Sequence, residues 1–287
     1  MMTPDQAQSL LDAMAAAGLS PRHPSKMLDK LSDAKVVRYE LDAGKKGNSN
    51  GAICVYANAD RPAGWFWSWS DQIKHSWTSF DHKQLTSAEK QALREQQAHA
   101  NRLREEEQQK IWAEVAEKAL RLWERGVPAK LAGDKTHPYL LKKGVRPFGL
   151  KTLRQSLMIP ARNTAGTLTT LQFIQPDGTK KFLTGGEIVG SYFAIGKPYQ
   201  VLLICEGYAT GASLHQATGH AVAVAFNAGN LLPVAKALRG KLPDIKIIIC
   251  ADNDAQTKGN PGISKGREAA AAVGGLLVWP EFGECAA

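Results

Sequence analysis

From Val201 onward the chain alternates between short runs that are almost wholly apolar and longer segments of helix-forming residues: VLLIC, ATGASLHQATG, HAVAVAF, NLLPVAKALRG, IKIIIC, SKGREAAAAVG and LLVW. No other feature restricts the fold as strongly. Strands apolar on both faces lie in a parallel sheet covered by helices, and the connections between such strands cross over with a right hand. The fold class predicted for the last third is α/β, a parallel sheet flanked by helices.

In sheets of this kind ligands bind beyond the carboxyl ends of the strands, where loops and helix N-termini converge. Acids occupy those places: Glu206 follows the first strand in CEGYATG, and Asp252 and Asp254 follow the third in CADND. Alternate residues of an extended segment point the same way, so both aspartates can face one site while Asn253 turns aside. A single acid at a strand end is usually a helix cap or a solvated turn. That bland reading weakens when two related strands both end in acids. Converging carboxylates without a base between them repel one another, and a hard divalent cation, Mg2+ or Mn2+, relieves the repulsion.

The preceding segment is basic. Between Lys135 and Lys181 stand nine Lys or Arg, among them Lys142, Lys143, Arg146, Arg162 and Lys180, against one acid, Asp177. MIPARNTAGTLTTLQFIQPDGTKKFL reads as two strands joined by Asn-Thr-Ala-Gly, with a turn at Pro176-Asp177-Gly178 leading into a third. A lysine-rich solvated face would look similar, but beside a carboxylate site such residues suit phosphate. The formal net charge of +9 also favours a polyanionic partner.

Ala88 to Arg125 has no Gly or Pro and reads as one long helix, with RLREEEQQK charged on nearly every side, a solvated spacer rather than a coiled coil. Before it, residues 1–35 read as a small helical opening broken by Pro21 and Pro24, and Val36 to Phe80 as short aromatic strands. Trp65, Trp67 and Trp69 share one strand face by period two, with Trp77 nearby. Such a stripe is more often core than a binding surface; the alternative is base stacking. The expected organisation is a small N-terminal unit over 1–86, with single-stranded DNA binding as the alternative role of its aromatic stripe, a charged helix over 87–128, a basic α+β subdomain over 129–198 and the α/β domain over 199–287.

The four cysteines form no CxxC pair, so structural zinc is not expected, and Cys205 and Cys250 read as small hydrophobes inside strands. His137 before Pro138 reads as a helix-opening turn, and Asn227 and Asn230 as caps in preference to phosphate contacts. No apolar run reaches the length of a membrane span and the N-terminus lacks the order of a signal peptide, so the expected compartment is the cytoplasm, with no membrane partner.

VLLICEGYATGASL, followed after one β-α unit by IIICADND and GREAA, resembles the Toprim domain of DNA primases, topoisomerases and some nucleases, and EGYAT is especially like the primases of conjugative plasmids and phages. HPYLLKKGVRP is similar to the segment opening the polymerase domain of bacterial DnaG-type primases, and IPARNTAGTLTTLQFIQPDGTKKFLTGG to their basic subdomain. GAICVYANADRPAGWFWSW is similar to a segment of plasmid and phage primases. The resemblance implies synthesis of short RNA primers on single-stranded DNA from ribonucleoside triphosphates by two-metal phosphoryl transfer, with a replicative helicase as a possible further partner. By it, Glu206, Asp252 and Asp254 hold the metal and are catalytic together with Lys181, and Arg162 and Lys181 bind nucleotide or nucleic acid; Lys180 and Arg146, from the same basic run, are expected to join them in that binding.

The chain departs from that pattern in two places. No zinc module and no helicase or helicase-docking segment is read, and AQTKGNPGISKGREAA after Asp254 is longer than the usual turn, which leaves Lys258 and Lys265 as solvated by default. A Toprim nuclease using the same acids on water, or a catalytically idle single-stranded-DNA-binding relative, would share the acidic motif. A topoisomerase would need a tyrosine on a separate strand-passage domain.

Overall fold

The computed structural model describes residues 2–56, 62–69, 73–79, 87–133, 136–257 and 259–281; Lys135, Lys258 and Cys285 lie outside the described residues. The chain divides into two compact units, Met1–His99 and Ala100–Ala287.

In the first unit, helix α1 (Pro4–Ala16) begins with a capping box, Thr3 and Gln6 each bonding the other's backbone N–H. A short α2 (Pro24–Leu28) follows. Strands β1 (Val36–Tyr39), β2 (Gly51–Tyr56), β3 (Ala63–Ser68) and β4 (Ile73–Thr78) then form an antiparallel meander in sequence order. Leu10 and Met14 of α1 pack on Val37, Tyr39, Ile53, Val55, Phe66 and Trp77. The tryptophan stripe is therefore not the core. Phe66 is 1% exposed and points inward, so Trp65 and Trp67 on the alternate positions point outward and are only half-buried, and Trp69 is 42% exposed. Trp77, on the neighbouring strand, belongs to the core.

Helix α3 (Ser87–Arg125) spans the predicted long helix, and its charged middle is exposed. Its last turns are not a bare spacer. Ala119 is fully buried with Met158, Leu168 and Leu171, flanked by Leu122 and Trp123. They pack on a second antiparallel meander: β5 (Val127–Pro128), β6 (Lys151–Leu153), β7 (Ser156–Arg162), β8 (Leu168–Ile174) and β9 (Lys180–Phe182). Both predicted turns form there. Asn163 accepts the N–H groups of Ala165 and Thr167, and Asp177 that of Thr179, with Gly166 and Gly178 at φ +86° and +94° where a side chain would be strained. Between β5 and β6, α4 (Pro138–Lys143) carries PYLLKK.

The predicted alternation follows: β11 (Val201–Cys205), α5 (Tyr208–Thr218), β12 (Ala221–Val224), α6 (Leu231–Lys241), β13 (Lys246–Cys250), α7 (Pro261–Ala272) and β14 (Leu276–Val278). Strands β12, β11, β13 and β14 are mutually parallel, and a short β10 (Phe193–Ile195), not read from the sequence, adds an antiparallel edge beside β12. Helices α6 and α7 cover one face of this sheet. On the other, α5 shares a continuous apolar core with Leu157, Ile159 and Ile174 of the basic meander, so the two sheets of this unit are joined by packing. No helix among the described residues is long and apolar enough to cross a membrane.

Candidate functional site

Strand order places the site. From β11 the chain crosses by α5 to β12 on one side, whereas from β13 it crosses by α7 to β14 on the other. Neighbouring parallel strands whose connections diverge leave a crevice beyond their carboxyl ends. Cys205 and Cys250 are register partners at the last rung of β11 and β13, so Glu206 and Asp252 emerge side by side into that crevice. The Asp252 N–H donates to Glu206 Oε1 at 3.4 Å.

The carboxylates feel one another. Burial first, then the charges of Asp252 and Asp254, push Glu206 up to about 7. Asp252 is raised by burial and by Asp254, against the opposing pull of the Lys180 ammonium and a hydrogen bond from Thr210. Among the described residues no three His, Cys, Asp or Glu side chains stand at the spacing of a metal's ligand shell. The donor set nevertheless has the chemistry of hard-cation ligands: three oxygen acids at and just beyond adjoining strand ends, two of them raised by burial and by the charge of a neighbouring aspartate.

Most of EGYATG can be read from this geometry. Gly207, extended at φ −111°, opens α5, and its absent Cβ would lie 3.8 Å from both Lys180 Nζ and Thr210 Oγ1. The buried Tyr208 donates its hydroxyl to the Arg146 carbonyl at 2.6 Å, tying the α4–β6 loop to α5. Thr210 bonds Asp252. Gly211 lets α5 lie on β11 and β12, because a Cβ there would come within 2.8 Å of Val224 and 3.1 Å of Cys205.

The loop carrying the aspartates is held by a residue the sequence reading passed over. Asn260, at φ +39°, caps α7 through its Oδ1, which accepts the Asp254 N–H at 3.0 Å and that of Ile263 at 3.5 Å. Its Nδ2 donates to Asn253 Oδ1 at 2.9 Å, while Asn253 Nδ2 donates to the Pro280 carbonyl. Asn253 is thus turned aside as predicted, into a clamp. Gly262 follows by necessity: a Cβ would stand 2.2 Å from the Asp252 carbonyl oxygen and 3.1 Å from Asp254 Oδ2. Asn-Pro-Gly before an Ala-rich run was the available signal, an N-cap followed by proline at the first helical position.

The basic residues divide. Successive residues of β9 face opposite ways, and it is Lys180 whose amine lies beside Gly207, 5.9 Å from the centre of the Tyr139 ring. Burial and the Lys143 charge lower the Lys180 pKa, and Asp252 raises it. Lys181 instead acts on Asp177 at the hairpin turn. Arg162 donates Nη1 to the Gly166 carbonyl at 2.9 Å, within its own hairpin. The Arg146 side chain is exposed, with its backbone N–H bonded to Gln216.

Other expectations resolve as structural roles. His137 caps α4 by accepting the Tyr139 N–H on Nδ1, which leaves Nε2 to donate to the Gln155 carbonyl at 2.9 Å. Asn227 caps the 3-10 turn before α6, and the buried Asn230 bonds Gly190 and the carbonyls of Ile188, Ser191 and Ala225. Lys265 pairs with Glu268 on the surface of α7. Cys205 and Cys250 are buried, their thiols raised by burial, Cys250 to about 11. Beside Asp252 opens a mostly apolar cleft of about 390 Å³, lined by Thr210, Ser213, Leu214, Val278, Trp279 and Pro280 among others.

Comparison with known proteins agrees with the resemblance read from the motifs. Residues 201–279 match the family model of the Toprim domain. The chain is 34% identical over 293 residues to DNA primase TraC of Escherichia coli, an alignment covering 98% of this chain and 20% of that protein. A second Escherichia coli DNA primase TraC is 34% identical over 264 residues, covering 88% of this chain and 24% of that one. The chain thus spans about a quarter or less of the length of these curated relatives. Among solved structures, the primase fragment of the bacteriophage T7 primase-helicase protein is 11% identical with a TM-score of 0.40, covering 85% of this chain and 90% of that one.

Proposed function

We propose that this chain is a primer-synthesising nucleotidyltransferase that joins ribonucleoside triphosphates on a single-stranded DNA template. The observation that carries the reading is the conjunction of acids and cations at one crevice: Glu206 and Asp252 on adjacent strand ends, Asp254 beyond them, and Lys180 with Lys143 within electrostatic reach. The 34% identity to DNA primases extends over nearly the whole chain, including the basic meander, which a nuclease sharing only the acids would not require.

In this reading Glu206, Asp252 and Asp254 hold Mg2+ or Mn2+, which when bound supplies positive charge for the transferring phosphoryl group. Lys180, with Lys143 behind it, neutralises the triphosphate. Thr210 and Asn260 orient the two aspartates. Tyr208 fixes α4, and with it Lys143, against α5. Arg162, Arg146 and Lys181 would serve the more distant path of the template by phosphate contact, without touching the reacting atoms. No protein nucleophile is required.

The test is incubation of single-stranded DNA with labelled ribonucleotides and Mg2+ or Mn2+, without primer. The expected result is short ribonucleotide-containing products with the template intact. Template cleavage without incorporation would replace this reading with the nuclease, and tight binding with neither reaction would replace it with an idle DNA-binding relative.

A further inference from the structure

We propose that the outer face of the N-terminal sheet is a platform for single-stranded nucleic acid, on which unpaired bases stack against Trp65, Trp67 and Trp69. The inference does not depend on the carboxylate crevice or on its chemistry.

Helices α1 and α2 pack on the inner face of this sheet, through the cluster that contains Phe66 and Trp77. The outward positions of β3 would ordinarily be polar. Instead they carry large aromatics: Trp67 and Trp69 stand with ring centroids 4.1 Å apart, and Trp65 Nε1 donates to the Tyr56 hydroxyl at 3.4 Å. Cations lie over these rings. The Arg38 guanidinium is 4.6 Å from the centre of the Trp69 ring, and the Lys74 amine is 5.1 Å from that of Trp65. Both cationic residues are exposed.

Charge selects the partner. None of β1 to β4 contains an aspartate or glutamate. Glu40, just after β1, is engaged by Arg22 at 3.8 Å and by the Gly47 N–H at 3.1 Å. A row of indoles flanked by cations, with no acid among its strands, matches a chain of planar bases joined by phosphates. Base-aromatic stacking tolerates any sequence, because every unpaired base has a π-face, and the cations supply salt-sensitive phosphate contacts. A duplex buries those faces and offers only its edges and backbone.

The experiment uses the full chain with a metal chelator and no nucleotides, so that primer synthesis plays no part in the outcome. Titration with oligothymidylate should quench tryptophan fluorescence, and a duplex of equal length should bind at least about tenfold more weakly. Trp67→Ala combined with Trp69→Ala should lower oligothymidylate affinity about tenfold or more with the unfolding temperature unchanged. Should that pair fail to fold, Arg38→Ala and Lys74→Ala, both at exposed positions, report independently: each should reduce the slope of log affinity against log salt by about 0.7. Wild-type affinity in the tryptophan pair, wild-type slopes in both cation variants, or equal binding of duplex and single strand would each overturn the proposal.

Discussion

The backbone N–H of Asp252 points at the carboxylate of Glu206, 3.4 Å from its Oε1, so the acid at the end of one strand is bonded by the chain leaving the next. This contact makes the two strand ends one site. It also means that a change at either residue is felt by the other.

Asp252→Asn and Asp254→Asn should each lower metal-dependent product formation by about a hundredfold or more while leaving the unfolding temperature near wild type, since a carboxamide keeps the shape but not the charge that holds a divalent ion. Calorimetric titration with Mn2+ should show the same loss of affinity. Wild-type yield from either variant at low metal concentration would remove that residue from the site.

Glu206 makes metal-free stability depend on pH. Its folded pKa of about 7 lies above the ordinary 4.5, so the fold binds the proton more tightly than the unfolded chain does. The stabilisation is complete below the unfolded value and is lost as pH rises through the folded one. Between about pH 5 and 8 the metal-free protein should lose on the order of 1 kcal/mol from this group, a figure already reduced for its partial exposure. Urea denaturation in chelator should show that slope flattened in Glu206→Gln. An unchanged slope would mean that some other group titrates.

Lys180→Ala should lower kcat/KM for nucleotide by about tenfold to a hundredfold, the scale of a lost charge-assisted contact, whereas Lys181→Ala should change it by less than about threefold. Steady-state kinetics of the two variants side by side decides this. Equal losses would mean that β9 turns both lysines to the crevice at some stage of the reaction.

Asn260→Ala removes the hydrogen bonds to Asp254 and Asn253 together with the α7 cap, and should cost about 1–2 kcal/mol in denaturant unfolding. Gly262→Ala drives a Cβ against the Asp252 carbonyl and should weaken Mn2+ binding. If both variants bind Mn2+ as the wild type does, the aspartate loop keeps its shape without the clamp.

The sequence made the C-terminal sheet legible because its strands are apolar on both faces and its helices are well punctuated, and it made the acids legible because topology puts strand ends at the ligand crevice. The resemblance puts the catalytic lysine at Lys181, whereas it is the amine of Lys180 that lies beside Gly207; a three-residue strand carries too little pattern to fix its facing, which follows from the pairing of β8 with β9. The tryptophan stripe was misread as core for a related reason. Period two showed that Trp65 and Trp67 share a face, but which face the helices cover depends on contacts from Leu10 and Met14, more than fifty residues away in the chain. The burial of Ala119 and Leu122 against the meander was available as a helical-period stripe, hidden by the charge density just before it. Strand β10, Phe193–Ile195, is too short to show a usable period.

The clamp at Asn260 separates the length of a loop from the position of its acids. The segment leaving Asp254 returns to bond that same residue's N–H, and Thr257 closes a turn onto the Asp254 carbonyl at 2.7 Å. Because the Asp254 N–H is held by Asn260 and its carbonyl by Thr257, the aspartate is pinned on both sides of its own peptide unit, independently of the course of the intervening segment.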